Sequence, residues 1–111
     1  TSLGVQNALK ANYTGEWPVI TGQDCDVLST ISMLEGTQSM SVFKDTRTLA
    51  AKTVKMVDSL LKGETPELNG EYDNGIKMVP SYNCTPVFGD VNNYEELLIA
   101  SGYYKAEEIA E

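Results

Sequence analysis

The chain has 111 residues, of which 41% are hydrophobic and 22% charged, a composition typical of one globular domain of modest size. Its net charge of −8 disfavours nucleic acid and anionic membrane surfaces as partners, because their phosphate groups would repel it. The sequence contains no histidine, so it lacks the commonest general base and the commonest metal ligand. Composition therefore argues against an enzyme, although carboxylates or a lysine could still act as catalysts.

The first part of the chain alternates short helices and strands. A helix is predicted over residues 2–12, and a strand over residues 17–21 is expected to end at Gly22. Asp24 or Asp26 can cap the helix that follows. The predicted apolar side of the first helix consists of Leu3, Ala8 and Leu9. The predicted apolar stripe of the second helix consists of Val27, Leu28, Ile31 and Leu34.

The middle of the chain contains the clearest helical pattern. A strand is predicted over residues 40–44, and Asp45 then begins a helix that extends to about Lys62. Gly63 is expected to end this helix. Its predicted buried face consists of Leu49, Thr53, Val54, Val57, Leu60 and Leu61.

After a polar loop, the last part of the chain returns to strands. One is predicted over residues 76–82, where Pro80 favours an edge or a bend, and another over residues 86–88. Asn92 or Asn93 can cap a further helix, and the acidic tail up to the last residue is expected to form a loose final helix.

The order of these elements predicts βαβ units and a parallel sheet, hence the α/β class. Only four short strands are predicted, whereas an ordinary sheet has about five or six. The chain is therefore expected to be a part of a larger domain.

Two strand-to-helix junctions carry side chains that suit a ligand. Asp24 follows one predicted strand and Lys44 ends the next, and open α/β sheets bind ligands beyond the carboxyl ends of their strands. An aspartate can accept two hydroxyl hydrogen bonds and a lysine can donate three, so the pair could hold a polyol. The pattern alone fits equally a plain helix N-cap at Asp24 and a solvated Lys44.

The sequence contains two cysteines, Cys25 and Cys84. They are too few for a disulfide framework or for a zinc site. In an extracellular protein they could form one bridge, and two buried thiols are the alternative. The sequence leaves both readings open, and it gives no reason to expect a metal or a cofactor.

Three runs of residues resemble the C-terminal half of the bacterial solute-binding proteins of sugar ABC transporters. They are WPVITGQD at 17–24, QSMSVFKDTR at 38–47 and YDNGIKMVPSY at 72–82. In particular they resemble the multiple-monosaccharide and xylose binders, and SGYY at 101–104 fits this resemblance as well. Together these runs extend the likeness over nearly the whole chain.

This resemblance implies a partial type I periplasmic-binding-protein fold, with a Rossmann-like parallel sheet flanked by helices. Residues 1–43 would belong to the C-terminal lobe, residues 44–79 would cross the hinge into the N-terminal lobe, and residues 80–111 would return to the C-terminal lobe and form the tail. Asp24 and Lys44 would bind the sugar. Because upstream ligand residues would lie outside the chain, weak or no binding by this chain alone is expected.

The resemblance also implies a receptor that transforms nothing and needs no cofactor. It would act in the periplasm or at the extracellular face of the bacterial membrane, as a secreted protein or a lipoprotein. Its partners would be a monosaccharide, the ABC transporter permease and the remainder of the N-terminal lobe. Two other classes stay open: the effector domain of a sugar-responsive transcriptional regulator, and a small carbohydrate-active enzyme, which would need a second carboxylate about 5–10 Å from the first.

Overall fold

The computed structural model describes residues 1–109, and these residues form two compact units. The first unit consists of Thr1–Phe43 and the segment from Pro86 onward, and the second consists of Lys44–Thr85. Residues 110 and 111, at the end of the predicted acidic tail, lie outside the described residues. The chain re-enters the first unit at Pro86. Which lobe of a receptor each unit represents stays a prediction.

The described residues contain five short strands and four α-helices, with one π-helical segment before the last helix. In chain order they are α1 (Ser2–Asn12), β1 (Thr21–Gln23), α2 (Val27–Leu34), β2 (Met40–Phe43), α3 (Thr46–Leu61), β3 (Gly70–Asp73), β4 (Met78–Ser81), β5 (Val87–Gly89), the π-helical segment (Glu95–Ala100) and α4 (Ala106–Ile109).

The sheet of the first unit has the strand order β1-β2-β5. Strands β1 and β2 are parallel, with Gly22 opposite Ser41, and α2 connects them as a βαβ unit. Strand β5, which the chain reaches after the second unit, is antiparallel to β2. The α/β class is confirmed. The predicted parallel pairing is present between β1 and β2, and β5 adds an antiparallel strand at the edge.

Strand β1 begins later than predicted and contains Gly22 instead of ending at it. A Cβ atom at residue 22 would overlap the side-chain amide of Gln38, so a larger residue there would have to displace that amide. Ile20 is buried immediately before the strand, whereas its neighbour Val19 is exposed. The apolar residues of this segment therefore mark the approach to the strand.

Helix α1 has the predicted bounds but not the predicted buried side. Its buried residue is Gln6, while Leu3 and Leu9 are half-buried and Ala8 is exposed. The Gln6 side-chain amide donates a hydrogen bond of 3.1 Å to the side-chain oxygen of Gln38. The amide of Gln38 in turn donates to the backbone carbonyl of Met40 at 3.0 Å. A chain of amide hydrogen bonds, which hydropathy does not reveal, thus connects this part of α1 to β2.

Helix α2 also buries a different face from the predicted one. Its N-cap is Asp26, whose carboxylate accepts a hydrogen bond of 2.8 Å from the N–H of Ser29. Leu28 and Leu34 of the predicted stripe are 62% and 42% exposed. The buried residues are Ser29, Thr30, Ser32 and Met33. A hydroxyl side chain can be buried on a helix when it bonds a carbonyl of the preceding turn, as Thr30 does with that of Asp26 at 3.0 Å.

The hydrophobic core of the first unit consists of Cys25, Met33, Phe43 and Leu98. Tyr103 extends it, with its ring centroid 4.8 Å from that of Phe43 in an edge-on arrangement. Leu98 lies on the π-helical segment, which replaces the regular helix predicted after Asn92 or Asn93.

The expected capping role of Asn93 is wrong, because its side chain is bonded on the N-terminal side instead. The Asn93 amide donates to the carbonyl of Phe88 at 2.8 Å, and its oxygen accepts from the N–H of Asp90 at 2.9 Å. These bonds connect the turn before the π-helical segment to β5.

The second unit consists of α3 and an antiparallel hairpin, β3 and β4, that pairs Tyr72 with Val79. Strand β3 lies in a segment that was predicted to be a loop. The prediction missed it because the polar sequence of this segment has no strand pattern. Helix α3 begins after its N-cap Asp45 as predicted, yet none of its residues is buried. Its predicted buried face is therefore wrong for this chain: every one of Leu49, Thr53, Val54, Val57, Leu60 and Leu61 is exposed.

Candidate functional site

Asp24 lies one residue beyond β1, at the carboxyl end of the parallel strand pair. Its backbone N–H donates a hydrogen bond of 2.7 Å to the carbonyl of Val42. The N–H of the next residue, Cys25, donates to the hydroxyl of Ser41 at 3.0 Å. Two consecutive residues of β2 thus hold the backbone at Asp24, while its side chain stays exposed. Sequence reasoning missed Ser41, because a serine in a short strand gives no signal of such a role.

The backbone at this point adopts an unusual conformation. Asp24 has a φ of 85° and Cys25 a φ of 47°, so two consecutive non-glycine residues lie in the left-handed region. Each such residue costs about 1–3 kcal/mol and persists only when its surroundings hold it, which happens most often at binding sites. Since Asp26 caps α2, the alternative of a plain N-cap role for Asp24 is wrong.

Lys44 directly follows β2, is exposed, and begins the second unit. Its neighbour Asp45 caps α3 and forms two further bonds, 3.0 Å and 2.8 Å long, with the guanidinium of Arg47. The hydrogen bond from Arg47 lowers the pKa of Asp45. Each predicted ligand residue therefore follows one of two adjacent parallel strands, as the sequence implied. That Asp24 and Lys44 bind the same ligand stays a prediction.

Both cysteines are free thiols in the structure, so the disulfide left open by the sequence is not formed. Cys25 is completely buried in the core, with its sulfur 3.5 Å from the carbonyl oxygen of Ser41. Burial raises the pKa of the Cys25 thiol, which keeps it protonated and unreactive. Cys84 is half-buried in the second unit.

A groove of about 540 Å³ in the first unit is a separate feature. Its lining is mainly apolar and includes Leu34, Tyr94, Ile99, Ala106 and Ile109. A sugar site needs convergent polar groups, and this lining does not include Asp24.

Within residues 1–109 no three His, Cys, Asp or Glu side chains lie close enough to hold a metal ion. In the same range no helix combines the length and apolar character needed to cross a membrane.

The arrangement around Asp24 suits binding better than bond-making chemistry. A carboxylate at the end of a parallel strand can accept directed hydrogen bonds from hydroxyl groups. The fold is that of a Rossmann-like α/β protein, a class in which ligands bind at strand ends of this kind.

Comparisons with known proteins narrow this class, although no family model matches the chain. The chain is 46% identical to the multiple sugar-binding periplasmic receptor ChvE of Rhizobium radiobacter, over 97% of the chain and 32% of that receptor. It is 35% identical to the D-xylose-binding periplasmic protein of Haemophilus influenzae, over 98% of the chain and 33% of that protein.

Solved structures give the same result. An ABC transporter solute-binding protein from Clostridium phytofermentans, with bound β-D-glucose, is 58% identical and superposes with a TM-score of 0.93 over 98% of this chain and 34% of that one. A carbohydrate transporter solute-binding protein from Chloroflexus aurantiacus, in complex with D-glucose, is 36% identical with a TM-score of 0.90, over 96% of this chain and 32% of that one.

The chain thus spans about a third of the length of the proteins that it matches. Over nearly all of its own length it is similar to sugar-binding solute receptors of ABC transporters, which confirms the resemblance carried by its three motifs. The fold is confirmed as a part of the periplasmic-binding-protein architecture.

Proposed function

We propose that this chain is part of a periplasmic receptor that binds a monosaccharide between two lobes and delivers it to an ABC transporter permease. The observation that carries the proposal is the 58% identity and the TM-score of 0.93 to a solute-binding protein with bound β-D-glucose. The names of the curated relatives, which are periplasmic sugar-binding proteins, support the same location and ligand class.

In this proposal Asp24 and Lys44 bind sugar hydroxyls at the carboxyl ends of β1 and β2. The carboxylate accepts hydrogen bonds and the ammonium donates them, so together they recognise a polyol without reacting with it. A ligand bound between lobes stabilises the closed state, and the permease would recognise that state.

The remaining partner in the proposal is the part of the N-terminal lobe that lies outside this chain. Helix α3 supports this, because Leu49, Val57 and Leu60 are each about half exposed or more although they lie on one side of an amphipathic helix. Exposed apolar surface of this kind is typical of a surface that another element covers. The permease, the location and the mode of membrane attachment stand as further parts of the proposal.

Titration calorimetry with D-glucose and D-xylose tests the proposal, in the complete receptor and in the 111-residue chain. We expect saturable binding by the complete receptor and weak or no binding by the chain alone. Asp24→Asn and Lys44→Met are each expected to weaken binding about tenfold or more, because each removes a charge-assisted hydrogen bond.

Matched control variants are Asp58→Asn and Lys10→Met, two exposed charged residues on α3 and α1. They are expected to bind as the unmodified receptor does. The proposal is wrong if the complete receptor binds no monosaccharide. The assignment of the ligand residues is wrong if Asp24→Asn and Lys44→Met bind as tightly as these controls.

A receptor of this kind leaves its ligand unchanged. Incubation of the complete protein with aryl glycosides is therefore expected to release no aglycone, measured by absorbance. Release that depends on Asp24 would instead favour the carbohydrate-active enzyme.

A further inference from the structure

Ser41 occupies the centre of the three-stranded sheet and is completely buried. It lies opposite Gly22 of β1 on one side and Gly89 of β5 on the other. A Cβ atom at Gly89 would lie 3.1 Å from the carbonyl oxygen of Ser41 and 3.2 Å from the sulfur of Cys25. This row of the sheet therefore has little room for a larger side chain. A hydroxyl buried there is unfavourable unless it forms a hydrogen bond.

The partner of the Ser41 hydroxyl is the backbone N–H of Cys25, 3.0 Å away. Cys25 is itself completely buried, so an alanine at residue 41 would leave this N–H without its acceptor inside the core. The Cys25 sulfur also lies 3.5 Å from the carbonyl oxygen of Ser41. Both contacts hold Cys25 against one residue of β2.

The consequence reaches Asp24, which shares a peptide bond with Cys25. The N–H of Asp24 is bonded to Val42, and the carbonyl of Cys25 accepts a hydrogen bond of 3.3 Å from the hydroxyl of Thr30. The bonds of Ser41 and Thr30 both act on Cys25, whose left-handed φ of 47° follows the φ of 85° at Asp24, and that of Ser41 acts on the N–H of the peptide shared with Asp24. The Ser41 hydroxyl therefore stabilises the two-residue conformation that sets the direction of the Asp24 carboxylate.

We propose that Ser41 is a positioning residue for sugar binding, which acts through the Cys25 backbone to orient the carboxylate of Asp24 and does not touch the sugar. This inference rests on the function proposed above. Its chemical basis is that a hydrogen bond donated by a sugar hydroxyl to a carboxylate weakens steeply when the geometry departs from the favoured one.

The test is titration calorimetry of the complete receptor with D-glucose, at a temperature well below the melting temperature of every variant. Ser41→Ala is expected to weaken binding about tenfold, because it removes a buried hydrogen bond that holds the site.

Ser29→Ala provides a matched control within the same unit. Ser29 is also a buried serine, 1% exposed, but its hydroxyl has no hydrogen-bond partner among the described residues. This variant is expected to bind glucose as the unmodified receptor does. Leu98→Val, a change in the core near Cys25, controls for loss of stability and is expected to lower the melting temperature without weakening binding.

A double-mutant cycle separates positioning from a general effect. If Ser41 acts through Asp24, Ser41→Ala weakens binding in the unmodified receptor but causes little further loss in the Asp24→Asn background. Additive losses would overturn the inference, as would unchanged binding by Ser41→Ala or an equal loss in Leu98→Val. If the unmodified receptor binds no monosaccharide, the proposed function fails and this inference fails with it. Binding that is lost in Asp24→Asn but kept in Ser41→Ala contradicts the inference alone.

Discussion

The two units differ in how far each buries its own apolar residues. In the first unit Cys25, Met33, Phe43 and Leu98 pack together and are almost completely buried. In the second unit the longest helix of the described residues, α3, has no buried residue, although its apolar residues have a regular helical spacing. An amphipathic pattern thus states that a helix face is to be covered, but it does not state by which part of a protein.

The two units also differ in the interactions that stabilise each of them internally. Buried hydrogen bonds from Ser41 and Gln6 accompany the core of the first unit. In the second unit Lys52 of α3 binds the carboxylate of Glu67 at 2.7 Å and lies 3.8 Å from the centre of the Tyr82 ring. The first unit therefore depends on packing, and the second depends largely on polar contacts at its surface.

The largest expected effect is that of truncating the core of the first unit. Leu98→Ala in the 111-residue chain is expected to lower the free energy of unfolding by about 2–5 kcal/mol, because it leaves a cavity in a buried cluster. Leu61→Ala, at a leucine that is 83% exposed, is the control and is expected to change it by less than about 0.5 kcal/mol. Urea unfolding followed by circular dichroism measures both, and equal losses would contradict the contrast between the units.

The second prediction asks whether α3 is covered in the complete receptor. Leu60 is 62% exposed here, so Leu60→Ala is expected to have almost no effect on the unfolding of this chain. In the complete receptor the same substitution is expected to cost about 2 kcal/mol or more, because the helix face would be buried there. Urea unfolding of both proteins gives the comparison. A negligible loss in both would mean that no part of the receptor covers α3.

The third prediction concerns the two thiols. A disulfide-exchange reagent is expected to label Cys84 in the folded chain and Cys25 only after unfolding. Because burial raises the pKa of Cys25 in the folded state, the unfolded state releases the thiol proton first as the pH rises. Stability is therefore expected to fall as the pH rises above about 8.5, the ordinary pKa of a thiol.

Urea midpoints over this alkaline range measure the effect. Cys25→Ala is expected to reduce the dependence on pH, whereas Cys84→Ala keeps it. Rapid labelling of Cys25 in the folded chain would contradict its burial in the first unit.

The smallest expected effect lies in the second unit. The hydrogen bond from Lys52 lowers the pKa of Glu67, so this pair contributes to stability above about pH 4.3, the ordinary pKa of a glutamate. Its contribution is lost as the pH falls through the lowered pKa. The ring resonances of Tyr82 in NMR spectra are expected to shift in that acidic range, because Lys52 lies against the ring. Glu67→Gln is expected to abolish this shift. A shift that persists in this variant would show that the Tyr82 ring does not report the titration of Glu67.

Several elements could be predicted from local sequence alone. The bounds of α1, the beginning of α3 after Asp45 and the position of β2 follow from capping residues and from the spacing of apolar residues. The candidate ligand residue Asp24 and its place at a strand end also came from sequence, through the resemblance of its motif. These features depend on interactions between residues close together in the chain, which a sequence displays directly.

Other features depended on residues far apart in the chain. Strand β5 runs antiparallel to β2, whose residues lie more than 40 positions earlier in the chain. Gly22 lies inside a strand because it pairs with Ser41 of β2. Pairing of this kind is decided by the tertiary structure and is not visible in the sequence.

The sequence by itself determined the class of the fold, most helix boundaries and the family resemblance, because capping, periodicity and motifs are local properties. Only the tertiary structure decided which faces are buried, that Asp26 and not Asp24 caps α2, and that Ser41 holds the backbone beside Asp24. The physical reason is that burial and buried hydrogen bonds are properties of pairs of surfaces. A sequence states what each surface offers, and the fold determines which surfaces meet.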